Sequence, residues 1–355
     1  MTVAARVAGF CERYGLDVPI VQAPMAGACP PELAIAVAEA GGMGAGGFVL
    51  DQPATIRDWV RRFREGSSRA FQMNLWIPDP PPHGDGGEAA ARRVLERFGT
   101  PGEPGGTPPS FDEQCEELLA AAPTAISSIM GVFAPETVER IHAAGIAWFA
   151  CATTLEEALV AERAGADAVV AQGIEAGGHR GTFEPDAAER TGVGLLALVP
   201  QLADALTVPV VATGGIADGR TVAAALVLGA SAVQVGTAYL RAPEAGIPQG
   251  WSEGLAAAAP ESSVLTRAYS GRPGRALSTP FVEAWSASDT PPARYPVQRR
   301  LVAQWRRGRA GADGSGPGVD AVNQWAGQSA RLARPEPAGQ VTARLWEDAR
   351  ALLSG

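Results

Sequence analysis

The run Gln172-Gly-Ile-Glu-Ala-Gly-Gly-His179-Arg180-Gly181 sets a single histidine in a glycine-rich segment directly after the apolar run Ala168-Val-Val-Ala171. Imidazole changes charge near neutral pH, so it can take or give a proton or donate a hydrogen bond to a reacting group. No second histidine accompanies His179 at metal-ligand spacing, which favours a general base or hydrogen-bond donor over a metal ligand. Glu175 of the same loop either accepts backbone N–H bonds that shape it or is solvated. The other histidines, His83 in a proline-rich stretch and His142 in a helical pattern, read as exposed or structural.

Two glycine-bearing segments follow. Pro209-Val-Val-Ala-Thr213 runs into Gly214 and Gly215, and Ala232-Val-Gln-Val235 runs into Gly236 and Thr237. Both are buried-strand patterns ending in glycine, where the backbone can approach an anion closely and Thr237 adds a hydroxyl. Together they form a candidate phosphate site. A phosphate held there directs a cofactor ring across the strand ends, where Asn74, one of two asparagines in the chain, and Gln172 are placed to meet it. Amides donate and accept, which suits the alternating carbonyl and N–H edge of a flavin. In Gln22-Ala-Pro-Met-Ala-Gly27 the backbone of Ala23, Pro24 and Met25 suits contact with a flat ring, with core packing of Met25 as the plainer use.

Positioning these groups requires a scaffold of strand and helix units. Candidate strands begin near Pro19, Gly42, Arg69, Ala125, Ile146, Ala168, Pro209 and Ala232. Helical patterns lie between them, at Pro31 to Ala40, Pro53 to Arg64, Phe111 to Ala121, Pro135 to Ala143, Leu155 to Ala164, Gly194 to Ala205 and Asp218 to Leu228. Alternation of this kind predicts an α/β fold with a parallel sheet, and eight units predict closure into a (β/α)8 TIM barrel over residues 1–240. A Pro/Gly-rich insertion after strand three, 77–110, carries one short helix from Glu88 to Phe98. It leaves the strand at the barrel mouth, as either a lid or a disordered surface insertion. Residues 241–355 read as a helical extension packing on the mouth, with helices at Val297 to Arg307, Val319 to Leu332 and Val341 to Leu353. The glycines of Gly42-Met-Gly44-Ala-Gly46-Gly47 match a dinucleotide fingerprint, but they lie inside a predicted strand rather than at a strand-to-helix turn.

Composition excludes several functions. The net charge is −9, with 46% hydrophobic and 19% charged residues, which argues against a nucleic-acid or anionic-membrane partner. The chain has no lysine, so pyridoxal-phosphate chemistry, Schiff-base aldol chemistry and a lysine-tipped phosphate loop cannot be built. Cys11, Cys29, Cys115 and Cys151 show neither metal nor redox spacing and are expected as reduced thiols. No apolar run approaches a membrane span and the first residues lack a signal-peptide core, so a cytoplasmic protein is expected. No metal is expected, and monomer and homodimer both remain open.

The chain closely resembles the nitronate monooxygenase family of FMN-dependent (β/α)8 barrels. The resemblance rests on Gln22 to Gly27, Asn74-Leu75, Gln172-Gly-x-Glu-Ala-Gly-Gly-His179, Ala212-Thr-Gly-Gly-Ile-Ala-Asp-Gly-Arg220 and Val233-Gln-Val-Gly-Thr237. It continues through Ser270-Gly-Arg-Pro-Gly-Arg275, Tyr295-Pro-x-Gln298 and Trp325-Ala-Gly-Gln328. It implies that His179 is the catalytic histidine and that Asn74, Gln172, Gly177, Gly215, Gln234, Val235, Gly236 and Thr237 bind FMN. It implies oxidation of small nitronates or nitroalkanes, propionate 3-nitronate among them, by O2 to a carbonyl compound and nitrite. The chain departs from the family at Ala238, at Ser127 to Gly131 and in lacking a pocket lysine, positions that bear on the substrate more than on FMN. A related barrel type, the FMN-dependent enoyl-ACP reductase using NAD(P)H, shares the Glu-Ala-Gly-Gly-His loop and is the alternative.

Overall fold

The computed structural model describes residues 1–81, 84, 86–308 and 322–354. Its first nine strands are β1 (Ile20–Gln22), β2 (Gly44–Gly47), β3 (Phe71–Trp76), β4 (Ala125–Ile129), β5 (Ala147–Ala152), β6 (Ala168–Gln172), β7 (Gly178–His179), β8 (Val210–Thr213) and β9 (Ala232–Val235). All but β7 pair in parallel, in the order β1, β9, β8, β6, β5, β4, β3, β2. The ends of that sheet meet through a bridge between Val21 and Met43. There the Gln22 N–H donates to the Met43 carbonyl at 2.9 Å and the Met43 N–H to the Ile20 carbonyl at 3.0 Å. The sheet is therefore a closed eight-stranded barrel, as the repeat of strand and helix patterns predicts.

Helix α1 (Val3–Tyr14) closes the floor, with its Tyr14 ring 4.9 Å from that of Phe149 on β5. Around the barrel run α2 (Pro31–Glu39), α3 (Pro53–Gly66), α4 (Glu88–Glu96), α5 (Phe111–Ala121), α6 (Pro135–Ala143), α7 (Leu155–Arg163), α8 (Leu195–Ala205) and α9 (Gly219–Val227). Several starts carry side-chain caps: the Thr154 hydroxyl accepts the Glu157 N–H, and Asp218 with Thr221 forms a reciprocal capping box. The glycines that imitate a dinucleotide loop lie within and beside β2, where they allow close packing. A Cβ on Gly44 would sit 2.5 Å from the Ala34 carbonyl oxygen of α2, and one on Gly46 would sit 2.4 Å from the Phe48 ring.

The 77–110 excursion is tied down among the described residues. The Gly102 N–H donates to the Gln304 carbonyl, and the Gln304 amide returns a bond to the Gly102 carbonyl, both at 2.9 Å. Ala91, Val94 and Leu95 of α4 share one apolar cluster with Phe281, Trp285, Leu301 and Trp305. His83 lies outside the described residues, and α4 ends at Glu96 rather than Phe98.

Beyond Tyr239 come α10 (Gln249–Ala257), β10 (Ser263–Thr266), β11 (Gly274–Leu277), α11 (Pro280–Ser286), α12 (Val297–Gly308) and α13 (Ala338–Ser354). Three expectations for this region are corrected. The extension is not purely helical, because β10, β11 and β7 form a three-stranded antiparallel sheet. The helix expected over Val319 to Leu332 is absent from residues 322–332, and its first residues lie outside the described part. Trp325 instead bridges Ala276 of β11, and only Ala330–Leu332 makes a short 3-10 turn. Its Ala326 and Ala330 are buried against Trp251 and Leu255 of α10 and Leu277 of β11. Finally, α13 is not on the mouth: it packs along α9 and α2 on the barrel's flank, with Val341, Leu345 and Ala349 in the main core. Among the described residues no helix is long and apolar enough to cross a membrane.

Candidate active site

At the carboxyl ends of the barrel strands lies a cavity of about 300 Å³. His179 lines it, as does every cofactor residue predicted from the sequence except Val235. The Val235 side chain is fully buried in the main core and its carbonyl is taken by the Ala23 N–H at 2.8 Å. Alternation along a strand explains this: with Gln234 and Gly236 facing the cavity, Val235 faces the helices.

His179 is held more firmly than a loop residue. It sits in β7, whose Gly178 and His179 register against Arg275 and Gly274 of β11. Two-residue strands leave no periodicity for the sequence to display, which is why the segment reads as a flexible turn. The His179 ring lies 4.5 Å from the rings of both Trp76 and Trp325, and its Nε2 is 2.8 Å from the Ser270 hydroxyl. Burial, and then the guanidinium groups of Arg272 and Arg299, push its pKa down to about 3. His179 is therefore a neutral imidazole at physiological pH.

The loop ahead of it is clamped from below. Gln172 lines the cavity, and its amide also holds the loop: Nε2 donates to the His179 carbonyl at 3.0 Å and Oε1 accepts the Gly181 N–H at 2.8 Å. Arg180, 1% exposed, donates to the Gln172 and Gly173 carbonyls, and Arg275 donates to that of Ile174. Glu175 takes the first of its two readings, accepting the Leu195 N–H at the start of α8. His142 is structural, with Nε2 3.0 Å from Asp167 on the outer wall.

Two other amides present free ends. The Asn74 Nδ2 donates to the Ser127 carbonyl at 3.1 Å, and because a carbonyl can only accept, the amide's orientation is fixed. Oδ1 is left without a partner among the described residues. Gln72 Nε2 donates both to the Gln22 carbonyl and to Gln234 Oε1, at 2.9 and 3.1 Å, and the Gln234 Nε2 has no acceptor among the described residues. An acceptor on β3 and a donor on β9 thus line one cavity. That complementary pair fits the mixed edge of a flavin ring.

The opposite corner suits a phosphate. Gly214 and Gly215 have φ of +119° and +69°, and the N–H groups of Gly215, Gly236 and Thr237 donate to nothing among the described residues. A Cβ on Gly236 would approach Ala23 Cβ to 3.2 Å and fill the cradle. The Thr237 hydroxyl accepts the Gly327 N–H at 3.0 Å, and the Ser329 hydroxyl donates to the Gly215 carbonyl at 2.7 Å. Gly177 is glycine because a Cβ there would lie 2.4 Å from the Gly327 nitrogen. The segment from Trp325 to Ser329 therefore closes the corner. Residue types alone do not mark these residues or Ser270 as site groups; the motifs at Ser270 to Arg275 and at Trp325 to Gln328 include all but Ser329, without assigning them a role.

Arg299 and Arg306 line the cavity, and among the described residues no aspartate or glutamate does. Arg272, 1% exposed, forms a two-pronged ion pair with Asp79, both bonds 2.7 Å, and also donates to the Thr182 carbonyl at 3.1 Å. This pair fastens the root of the excursion beside His179. Since the folded value of His179 is about 3 against an ordinary 6.5, neutrality contributes stability above the ordinary value, lost as pH falls toward 3. Turnover of an already anionic substrate is expected to stay level from about pH 8 to about pH 5. A kcat/KM profile with an acid limb near the ordinary histidine value would contradict that.

A family model described as nitronate monooxygenase matches residues 11–348. The chain belongs to the nitronate monooxygenase family. It is thereby an oxidoreductase of a flavin-dependent family. A nitronate monooxygenase from Pseudomonas aeruginosa is 39% identical, over 96% of this chain and 99% of that protein. The solved structure of a nitroalkane oxidase from Streptomyces ansochromogenes superposes with a TM-score of 0.87 at 36% identity, covering 97% of this chain and 99% of that one. FabK from Thermotoga maritima is more distant, with a TM-score of 0.76 at 26% identity, covering 98% and 97%.

Proposed function

We propose that the protein binds FMN in this cavity and uses O2 to convert small alkyl nitronates, or the parent nitroalkanes, into carbonyl compounds and nitrite. The observation that carries the reading is the cavity itself. It combines a neutral histidine with the guanidinium of Arg299 and with an acceptor on Asn74, a donor on Gln234 and N–H groups on Gly215, Gly236 and Thr237 that have no partner among the described residues; no carboxylate among those residues lines it. FMN supplies the electron transfer between nitronate and O2 when bound. Asn74 and Gln234 would hold its ring edge, Ala23 to Met25 its face, and the glycine corner its phosphate.

The chain's own groups then handle charge and protons. His179 Nδ1 makes no hydrogen bond among the described residues, while Nε2 contacts Ser270, whose hydroxyl also lies 3.2 Å from the Arg272 carbonyl. The serine proton can go to either neighbour. When Nδ1 takes the α-proton of a nitroalkane, Nε2 donates to Ser270, which donates to the Arg272 carbonyl. With a preformed nitronate no proton need be taken, and His179 orients the anion. The rings of Trp76 and Trp325 pack against the imidazole and hold it in place at the cavity wall.

The test is direct. The purified protein is expected to be yellow, to release FMN on denaturation, and to consume O2 and release nitrite from propionate 3-nitronate and ethylnitronate without NADH. Silence on nitronates together with NADH oxidation on an enoyl thioester would transfer the assignment to the reductase reading. That alternative stands second because FabK is the more distant match.

A further inference from the structure

The cavity-facing side of α12 repeats at helical spacing, with Arg299, Ala303 and Arg306 lining the cavity while Leu301, Val302 and Trp305 are buried in the second core. Arg306 is engaged, bonding Asn323 and lying over the Tyr269 ring at 5.9 Å. Arg299 is different. Its guanidinium stacks 5.1 Å over the Tyr295 ring and donates to that residue's hydroxyl at 3.0 Å, but it meets no carboxylate among the described residues. Tyr295 in turn lies 5.8 Å from Trp76, whose ring abuts His179. Arg299 thus lies beyond the aromatic rings that flank His179, close enough for its charge to act on the imidazole, and faces the same cavity.

Building on the function proposed above, we infer that Arg299 is a specificity-determining residue that binds a carboxylate carried on the tail of the substrate while the nitronate end lies at His179. Stacking on Tyr295 orients the planar fork, and a guanidinium presents two parallel N–H bonds to a carboxylate. The small Ala303, one turn on, leaves room for the tail. A neutral imidazole offers the anion no countercharge, so the cavity's positive charge comes from α12. The preferred substrates are short nitronates ending in a carboxylate, and neutral alkyl nitronates are poorer.

The experiment compares flavin-loaded wild type, Arg299→Met and Arg299→Lys on propionate 3-nitronate and on butylnitronate, which replaces the carboxylate by an uncharged tail. The ratio of the two kcat/KM values is expected to fall about 30-fold in Arg299→Met, chiefly through KM of the carboxylate substrate, and to recover in part in Arg299→Lys. Butyrate, read by perturbation of the flavin spectrum, is expected to bind correspondingly more weakly to Arg299→Met, which tests the assignment without turnover. An unchanged ratio, or an equal fall on both substrates, would overturn it, as would unchanged butyrate binding. Wild type inactive on both nitronates would defeat the functional proposal alone, since the butyrate titration still decides what Arg299 binds. Flavin content and far-UV circular dichroism confirm that each variant is folded.

Discussion

His179→Asn is expected to lower kcat/KM on nitronates and nitroalkanes by about 10²–10⁴-fold while the protein remains yellow. The imidazole makes one side-chain hydrogen bond, to Ser270, and otherwise contributes ring packing between Trp76 and Trp325. Asparagine keeps polarity and part of the bulk but cannot act as a base, so flavin retention should survive while proton transfer does not. The loss should be larger on nitroalkanes, whose α-proton must be removed, than on preformed nitronates, which need only be oriented. Equal and small losses on both substrates would remove His179 from the chemistry. Loss of flavin binding in the variant would mean that the imidazole acts through the fold.

The second large effect concerns Asp79 and Arg272. Their pairing is buried, with 1% of the Arg272 side chain and 13% of the Asp79 side chain exposed. Deleting one member of such a pair strands the other charge away from water, at a cost of about 3–5 kcal/mol. Asp79→Ala is therefore expected to lower stability by that order. It should also loosen the root of the excursion and the Ser270 to Arg272 turn that holds His179, because Arg272 donates as well to the Thr182 carbonyl. Replacing both residues, Asp79→Leu with Arg272→Met, should recover much of the loss, since no uncompensated charge then remains. Denaturant titration of the single and double variants reads the effect. A single variant as stable as wild type, or a double variant worse than both singles, would refute the account.

Much of the architecture was legible because its signals are local. The apolar runs ending in glycine at Gly214 and Gly236 mark strands that only a parallel barrel places side by side, and all eight candidate strands appear where the pattern set them. The failures share one cause. Two-residue β7 and the bridge at Trp325 are stabilised by partners far away in the chain, at Gly274 to Arg275 and Ala276, so neither has a periodicity of its own. Helix α13 carries an ordinary amphipathic pattern, and nothing in that pattern states whether it faces the mouth or the flank.

The same division runs through the candidate site. Residue types and their order in the chain determined the barrel, the single histidine, the glycine corner and the amides, because each depends on backbone freedom or functional groups carried by individual residues. Tertiary structure alone decided how those groups are used. Gln172 clamps the loop as well as lining the cavity, since folding brings the His179 carbonyl to its Nε2 and the Gly181 N–H to its Oε1. Gln234 turns its Nε2 away from its neighbours, with no acceptor among the described residues, because Gln72, 162 residues away, donates to its oxygen. His179 is neutral because residues 76, 270, 272, 299 and 325 surround it with rings, a hydroxyl and guanidinium charge. Burial and charge at a point are sums over neighbours from the whole chain, and no single stretch of sequence contains them.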